Sequence, residues 1–222
     1  MARVLSICTG MGLLDLAFMR SGFYVKAGCE TDLQMQQMYY CLCGSLPAQD
    51  SLVHCTQHFT GTRWDGIIGG PPCQAHSKTR AMRKPKFPDL TKQVIDLLEA
   101  TEWGWYLFEN VCPMDIPGAR HVRLDAMHFY RPHQSRPRWF TYSPNLTPPE
   151  PVYKGDVNAL LAYPAVAARI YGPKRGAILQ GYPAAAEIPV RCVTLQKGLA
   201  NAVPYPLARA WAQKIKELNG PL

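Results

Sequence analysis

The sequence predicts an α/β fold with a doubly wound, mostly parallel sheet, and three observations carry that expectation. Short apolar runs of strand length alternate with stretches of helical period. The first such run breaks into a glycine turn that leads straight into a helix. Later runs end on an acid or on Gly-Pro, the punctuation of strands that stop at a sheet edge. With 222 residues, 47% of them hydrophobic, the chain can bury a proper core, which excludes a disordered tail as its main character.

Taken in order, Val4 to Cys8 reads as the first strand, Gly10 and Gly12 as the turn, and Leu13, Leu14, Leu16, Ala17 and Phe18 as the apolar side of a helix. FYVKAGCETD is a second strand closing on acids. WDGIIGGPPCQ is a third, with Ile67 and Ile68 before the Gly-Pro break. TKQVIDLLEATEW is an amphipathic helix leading into a fourth strand, WYLFENV. VRLDAMHFYRPHQSRPRWFTYSP reads as two strands bent at Pro132 and His133. Near Ser143 the composition shifts to the Pro-rich NLTPPEPVYKGD, the one candidate boundary. A short helical pattern follows from Val157 to about Tyr171, and a terminal helix is expected from about Tyr205. There is no internal repeat and no low-complexity tract.

Charge and cysteine usage narrow the function. Twenty-four Lys and Arg against 16 Asp and Glu give +8, which favours a polyanionic partner. No apolar run approaches the roughly 18–20 residues a membrane span needs, and MARVLSICTGMG does not read as a signal peptide. The expectation is a soluble, cytoplasmic protein. Eight cysteines scattered through apolar stretches read as reduced thiols rather than as a disulfide framework. Cys41, Cys43, His54, Cys55 and His58 could in principle hold zinc, but C-x-C followed by H-C-x-x-H is no recognised finger spacing, and no metal is expected.

The residues that carry chemistry cluster at the ends of the expected strands. Gly10 and Gly12 in CTGMG allow close backbone approach to a nucleotide-like ligand, and Glu30, about twenty residues on, stands where such folds place an acid on ribose hydroxyls. Cys73 follows Gly69, Gly70, Pro71 and Pro72, so a rigid break holds a thiol at the sheet edge. Lys78, Arg80, Arg83, Lys84 and Lys86 follow it closely, and such positive charge favours the thiolate. Glu109 and Asn110 end the fourth strand, putting a carboxyl where it can exchange a proton with a substrate ring nitrogen. Arg136 and Arg138 alternate with Ser135 and Pro137, which puts both guanidiniums on one face of an extended strand, although unaided they read as surface arginines.

In this order the pieces resemble the cytosine-5 DNA methyltransferases, enzymes that use S-adenosyl-L-methionine and have a Rossmann-like fold. The resemblance runs through CTGMGLLDL, Glu30, GGPPCQ, Glu109-Asn110-Val111, Gln134 with Arg136 and Arg138, LQGYP, and NAVPYPLA from Asn201. It implies a catalytic set of Cys73, Glu109, Arg138 and Arg136. It implies a cofactor set of Thr9, Gly10, Met11, Gly12, Glu30, Thr31, His54, Cys55, Pro72, Asn201 and Ala202. Double-stranded DNA would meet Gln74, Ser77, Lys78, Arg80, Arg83, Lys84, Lys86, Gln134, Lys154 and Arg169. The implied mechanism is addition of the Cys73 thiolate to C6 of a flipped cytosine while Glu109 protonates or hydrogen-bonds N3, with Arg138 on the O2 edge.

The sequence also departs from the family pattern. Cys8 stands for a cofactor-lining aromatic, Leu13 for a third glycine, and His54 for the acid that meets the adenine amino group. His76, Lys174 and Ala200 stand for an aromatic, an arginine and a glycine. The expected division is a catalytic body at 1–140, a reduced target-recognition segment at 141–172, and a return to the body at 173–222. So short a segment, with Asn145, Lys154, Asn158 and Arg169 as its base-reading candidates, implies a target of about two to four base pairs. A dimer or partner subunit could supply further contacts. Compactness suggests a phage or mobile-element origin and a place in restriction-modification or its evasion. Two rival readings are the tRNA-methylating branch of the same family, and a silent nucleic-acid-binding regulator that keeps the fold without turnover.

Overall fold

The computed structural model describes residues 1–72, 89–130, 135–153, 174, 177–178 and 181–219. Its order is β1 (Arg3–Ile7), α1 (Leu13–Arg20), β2 (Tyr24–Cys29), α2 (Leu33–Cys43), α3 (Leu52–Phe59), β3 (Arg63–Gly69), α4 (Thr91–Ala100), β4 (Glu102–Asn110), β5 (Arg120–Asp125), β6 (Pro137–Tyr142), α5 (Cys192–Asn201) and α6 (Tyr205–Asn219). The six strands form one sheet in the order β2-β1-β3-β4-β6-β5. Four neighbours, β2 to β4, pair in parallel, and β6 runs against both β4 and β5. The expected doubly wound α/β sheet is thus present. Its order reverses direction at β1, so the crevice between the carboxyl ends of β1 and β3 is the place where such sheets bind ligands.

Period-2 patterning sorts the strand residues into two cores. Trp105 and Leu107 of β4 join Phe18 of α1 and Trp211 of α6 on one face, whereas Tyr106 and Phe108 join Cys55, Phe59, Val94 and Leu97 of α3 and α4 on the other. A third cluster packs Met11, Met35 and Met38 against Leu195 and Leu199, anchoring α5 on α2. Gly198 makes this approach close, since a Cβ there would lie 2.7 Å from Met38 Cε.

The elements the sequence reading did not assign are α2, α3 and α5. Asp32 caps α2 by accepting from the Gln34 and Met35 amides, and Gly44 ends it in the left-handed conformation. Ser51 caps α3 in the same way through the His54 amide. The proposed helix from Val157 to Tyr171 lies outside the described residues. Beyond residue 140 the sheet continues, since Thr141 and Tyr142 belong to β6 and Ser143 donates to Tyr106 O.

One buried carboxyl sits in the layer between β1 and α1. Asp15 is fully buried, accepting from Ser6 Oγ at 2.7 Å and Tyr39 Oη at 2.8 Å. Burial pushes its pKa from the usual 3.8 up to about 7, against the pull of these two hydrogen bonds. Folding therefore takes up a proton between those values, and the carboxyl's contribution to stability falls as pH rises through that window. Asp15→Asn removes the titration, so its stability relative to the parent is expected to grow by roughly 4 kcal/mol from pH 4 to pH 8 in urea unfolding. A difference that stayed constant with pH would contradict the raised pKa.

Candidate functional site

Everything described at the site stands on the carboxyl edge of the sheet. The chain leaves β1 through Cys8 with φ 50, then Gly10 and Gly12 at φ 56 and 92. A Cβ on Gly12 would lie 2.8 Å from the Tyr39 ring and 2.9 Å from Cys43 Sγ, so only glycine fits beneath α2. Around Gly10 a Cβ would meet nothing within 4 Å, which leaves the turn open on its outer side. Glu30, just past β2, grips this turn: one carboxylate oxygen accepts from Gly10 N at 2.7 Å and the other from Asp32 N at 2.9 Å. Burial raises its pKa while these two amides oppose the shift.

The turn also holds an unsatisfied group. Thr9 Oγ1 is buried with no hydrogen-bond partner among the described residues. Buried hydroxyls are nearly always paired, so an unpaired one beside an open glycine turn and a carboxylate with spare lone pairs fits a ligand rich in hydroxyl and amino groups. Met11 contributes backbone alone, because its side chain is in the core. Thr31 and Asn201 are exposed, Pro72 is partly exposed, and Ala202 is largely buried with its carbonyl bonded to Arg136.

Cys55 and His54 lie on opposite sides of α3. Cys55 is fully buried, because Leu52, Cys55 and Phe59 form the core side of α3, and its thiol points to Gly28 and Cys29. His54, on the opposite side of that helix, is exposed and pairs through Nδ1 with Asp50 Oδ1 at 2.7 Å. Asp50 is thus the carboxylate beside His54 at the start of α3. Gln49 bridges the end of β2, accepting from Glu30 N and donating to Gly28 O, and so brings Asp50 beside the Glu30 corner. His54 holds the Asp50 carboxyl below its ordinary pKa.

On the other side of the crevice, β3 runs into Gly69 and Gly70 so close to β1 that a Cβ on Gly69 would lie 2.5 Å from Ile7 O. Asn110 Nδ2 donates to Pro71 O at 3.4 Å, tying the end of β4 to the Pro-Pro break. Glu109 is buried beside it, with its carboxylate 3.7 Å from where a Gly70 Cβ would stand. Arg138 Nε pairs with Glu109 Oε1 at 2.7 Å across the β4–β6 ladder. Burial raises the Glu109 pKa, and Arg138 and then Arg136 pull it back.

Neither arginine is a surface residue. Arg136 is 4% exposed, and its Nη2 donates to Ala200 O at 2.7 Å and Ala202 O at 3.0 Å at the end of α5. Asp125 sets its backbone by accepting from Arg136 N at 2.6 Å. Arg136 is thus a strut joining β6 to the asparagine segment, and Arg138 is the guanidinium that meets Glu109. Asn145 is remote from this edge. It donates to Gly104 O, and the five steps along the strand from Gly104 to Glu109 span about 17 Å. Cys73, Gln74, Ser77, Lys78, Arg80, Arg83, Lys84, Lys86, Gln134, Lys154 and Arg169 lie outside the described residues. Among the described residues no group of three His, Cys, Asp or Glu side chains is arranged to hold a metal ion.

Comparison with known proteins shows what the chain is similar to. The type II methyltransferase M.FnuDI of Fusobacterium nucleatum is 32% identical over 112 residues, 49% of this chain and 32% of that protein. M.NgoPII of Neisseria gonorrhoeae is 29% identical over 120 residues, 50% of this chain and 34% of its own. The alignment thus spans about a third of the length of these curated relatives. The structure of a DNA modification methyltransferase encoded within an Escherichia coli prophage superposes with a TM-score of 0.66 at 14% identity, covering 99% of both chains, and so shares the fold. Residues 2–123 match the sequence model of the C-5 cytosine-specific DNA methylases, which takes in the glycine turn, Glu30, GGPPCQ and Glu109-Asn110-Val111. The chain belongs to the C-5 cytosine-specific DNA methylase family.

Proposed function

We propose that the chain is a DNA (cytosine-5-)-methyltransferase, acting on a flipped cytosine through a covalent bond from Cys73 to C6. The observation that carries this reading is the buried Glu109–Arg138 pair standing against the Gly-Gly-Pro-Pro break that precedes Cys73. In this reading the Cys73 thiolate adds to C6, and Glu109 delivers its proton to N3 so that the ring electrons move toward C5. Arg138 steadies Glu109 and takes the O2 edge, while Arg136 fixes the strand that presents it. Loss of the C5 proton then expels the thiolate.

The open turn at Thr9 and Gly10, with Glu30 and Asp50, suits an adenosyl cofactor. Glu30 would accept from ribose hydroxyls and Asp50 from the adenine amino group, the part assigned in the sequence to His54. S-adenosyl-L-methionine, held there, supplies the methyl group as an electrophile. DNA is the substrate we favour, since the family and its type II relatives are DNA methylases and the cations from Lys78 to Lys86 would meet backbone phosphates. The prophage relative is in keeping with a phage-borne modification role.

The test is transfer of labelled methyl from S-adenosyl-L-methionine to unmethylated duplex DNA, with tRNA in parallel and bisulfite sequencing of the product. Label at C5 of cytosine in a short repeated DNA context is expected. Label in tRNA alone would move the substrate to the other branch of the family, and no label in either polymer would remove the activity.

A further inference from the structure

The glycine turn is gripped from two sides. Glu30 takes Gly10 N at 2.7 Å. From behind, α2 lies against Gly12, where a Cβ would stand 2.8 and 3.1 Å from two carbons of the Tyr39 ring, and Cys43 Sγ donates to Gly12 O at 3.7 Å. The same Gly12 O accepts from Leu16 N at 2.8 Å, and Gly12 N donates to Thr9 O at 3.1 Å. The residue that closes the turn and opens α1 therefore rests on the Tyr39 ring.

Tyr39 is itself clamped. It is fully buried, and its Oη donates to Asp15 Oδ2 at 2.8 Å, while Asp15 Oδ1 accepts from Ser6 Oγ at 2.7 Å. Ser6 lies on β1, the strand that enters the turn, and Asp15 on α1, the helix that leaves it. The contacts form a closed ring, from β1 to Asp15, to Tyr39, to Gly12, and back along the chain to β1. Burial and the nearby Asp15 charge push the Tyr39 pKa up, so its hydroxyl stays a donor. A carboxyl shut away from water is a costly way to fill such a layer, since an apolar side chain of similar volume would pack there with no charge to desolvate. What the carboxyl supplies is a fixed acceptor, and the group it fixes lies under the turn.

We propose that Tyr39, clamped by Asp15, is a positioning residue for the cofactor, holding the turn from Thr9 to Gly12 in the shape that binds S-adenosyl-L-methionine. This rests on the cofactor reading given above. Without the clamp the ring can shift beneath Gly12, the turn loses its fixed floor, and the ligand must order the turn as it binds, so affinity falls. Once bound, the cofactor meets the same catalytic groups as before. KM for S-adenosyl-L-methionine should therefore rise while kcat holds.

The experiment compares Tyr39→Phe, Asp15→Leu and Asp15→Asn in the full chain, at a temperature where thermal unfolding shows each to be folded. Tyr39→Phe keeps the ring and opens the clamp at one end, and Asp15→Leu opens it at the other while removing the buried carboxyl. Each is expected to bind S-adenosylhomocysteine about tenfold more weakly in calorimetry, and the two together should be no weaker than either alone. KM should rise to match, with kcat within about twofold of the parent. Asp15→Asn keeps an acceptor for Tyr39 Oη and gains an amide that can donate to Ser6 Oγ, so it should bind as the parent does. Without cofactor, the Gly12 amide of Tyr39→Phe should exchange its hydrogen about tenfold faster, with β4 unchanged. Parental affinity in Tyr39→Phe, a Gly12 amide exchanging at the parental rate, or an Asp15→Asn as weak as Asp15→Leu would overturn the proposal. The two failures are distinct: a parent that binds no S-adenosylhomocysteine overturns the cofactor reading and this role with it, whereas a parent that binds it no more tightly than Tyr39→Phe overturns this role alone.

Discussion

Glu109→Gln is expected to lower kcat for methyl transfer by about 10²–10⁴-fold, the usual range for loss of a positioned proton donor. The amide keeps the shape and can still hydrogen-bond a ring nitrogen, but it has no proton to give. Burial raises the Glu109 pKa and the Arg138 guanidinium 2.7 Å away limits the rise. Affinity for S-adenosylhomocysteine should stay within a few-fold of the parent, because the turn at Thr9 to Gly12, where we propose the cofactor binds, stands at the end of a different strand. Removing the counter-charge instead, in Arg138→Ala, should move the Glu109 titration upward and carry the alkaline limb of the rate profile with it. Turnover of Glu109→Gln within tenfold of the parent would end the assignment of Glu109 as the acid.

Arg136→Leu is expected to destabilise the protein by about 3 kcal/mol, since two carbonyls at the end of α5 lose a charged donor in a buried place. For a chain of this size that corresponds to a fall in Tm on the order of 6–12 °C. The same change should weaken cofactor binding, because Ala200 and Ala202 flank Asn201 and Arg136 Nη2 holds both of those carbonyls to β6. Thermal unfolding and calorimetry on the one variant separate the two effects. A Tm within 2 °C of the parent would show that α5 is held by its packing on Met35 and Met38 alone.

The sheet was legible in the sequence because its central strands carry short apolar runs that end on glycine, proline or an acid. Ile67-Ile68 before Gly-Pro and Tyr106 to Phe108 before Glu109 could hardly be read otherwise, and β3, β4 and the helix from Tyr205 stand where the pattern puts them. The helices α2 and α3 were not legible in the same way. Each buries only three residues, and each depends on a cap, Asp32 or Ser51, whose role shows once the backbone is in place. Gly198 disguises α5, since glycine argues against a helix until Met38 is seen to press on it.

Among the site residues, Glu30 and Glu109 could be found from their position at strand ends, a local signal. Arg136 could not, because its partners lie 64 and 66 residues away and no pattern near QSRPRW announces them. Asp50 was hidden by its neighbour. In AQDSLVHC the carboxylate precedes the helix cap, and it reaches the Glu30 corner only through the isolated bridge from Gln49 to Cys29.

The central claim, that Cys73 bonds to C6 of cytosine, is tested most directly with duplex DNA in which 5-fluorocytosine replaces cytosine. Fluorine at C5 leaves no proton to lose after methyl transfer, so the thiolate cannot be expelled. With S-adenosyl-L-methionine present, a protein–DNA adduct should survive denaturing electrophoresis, with its linkage mapping to Cys73 and vanishing in Cys73→Ser. Methyl transfer to ordinary DNA without any such adduct, or an adduct that persists in Cys73→Ser, would contradict the account.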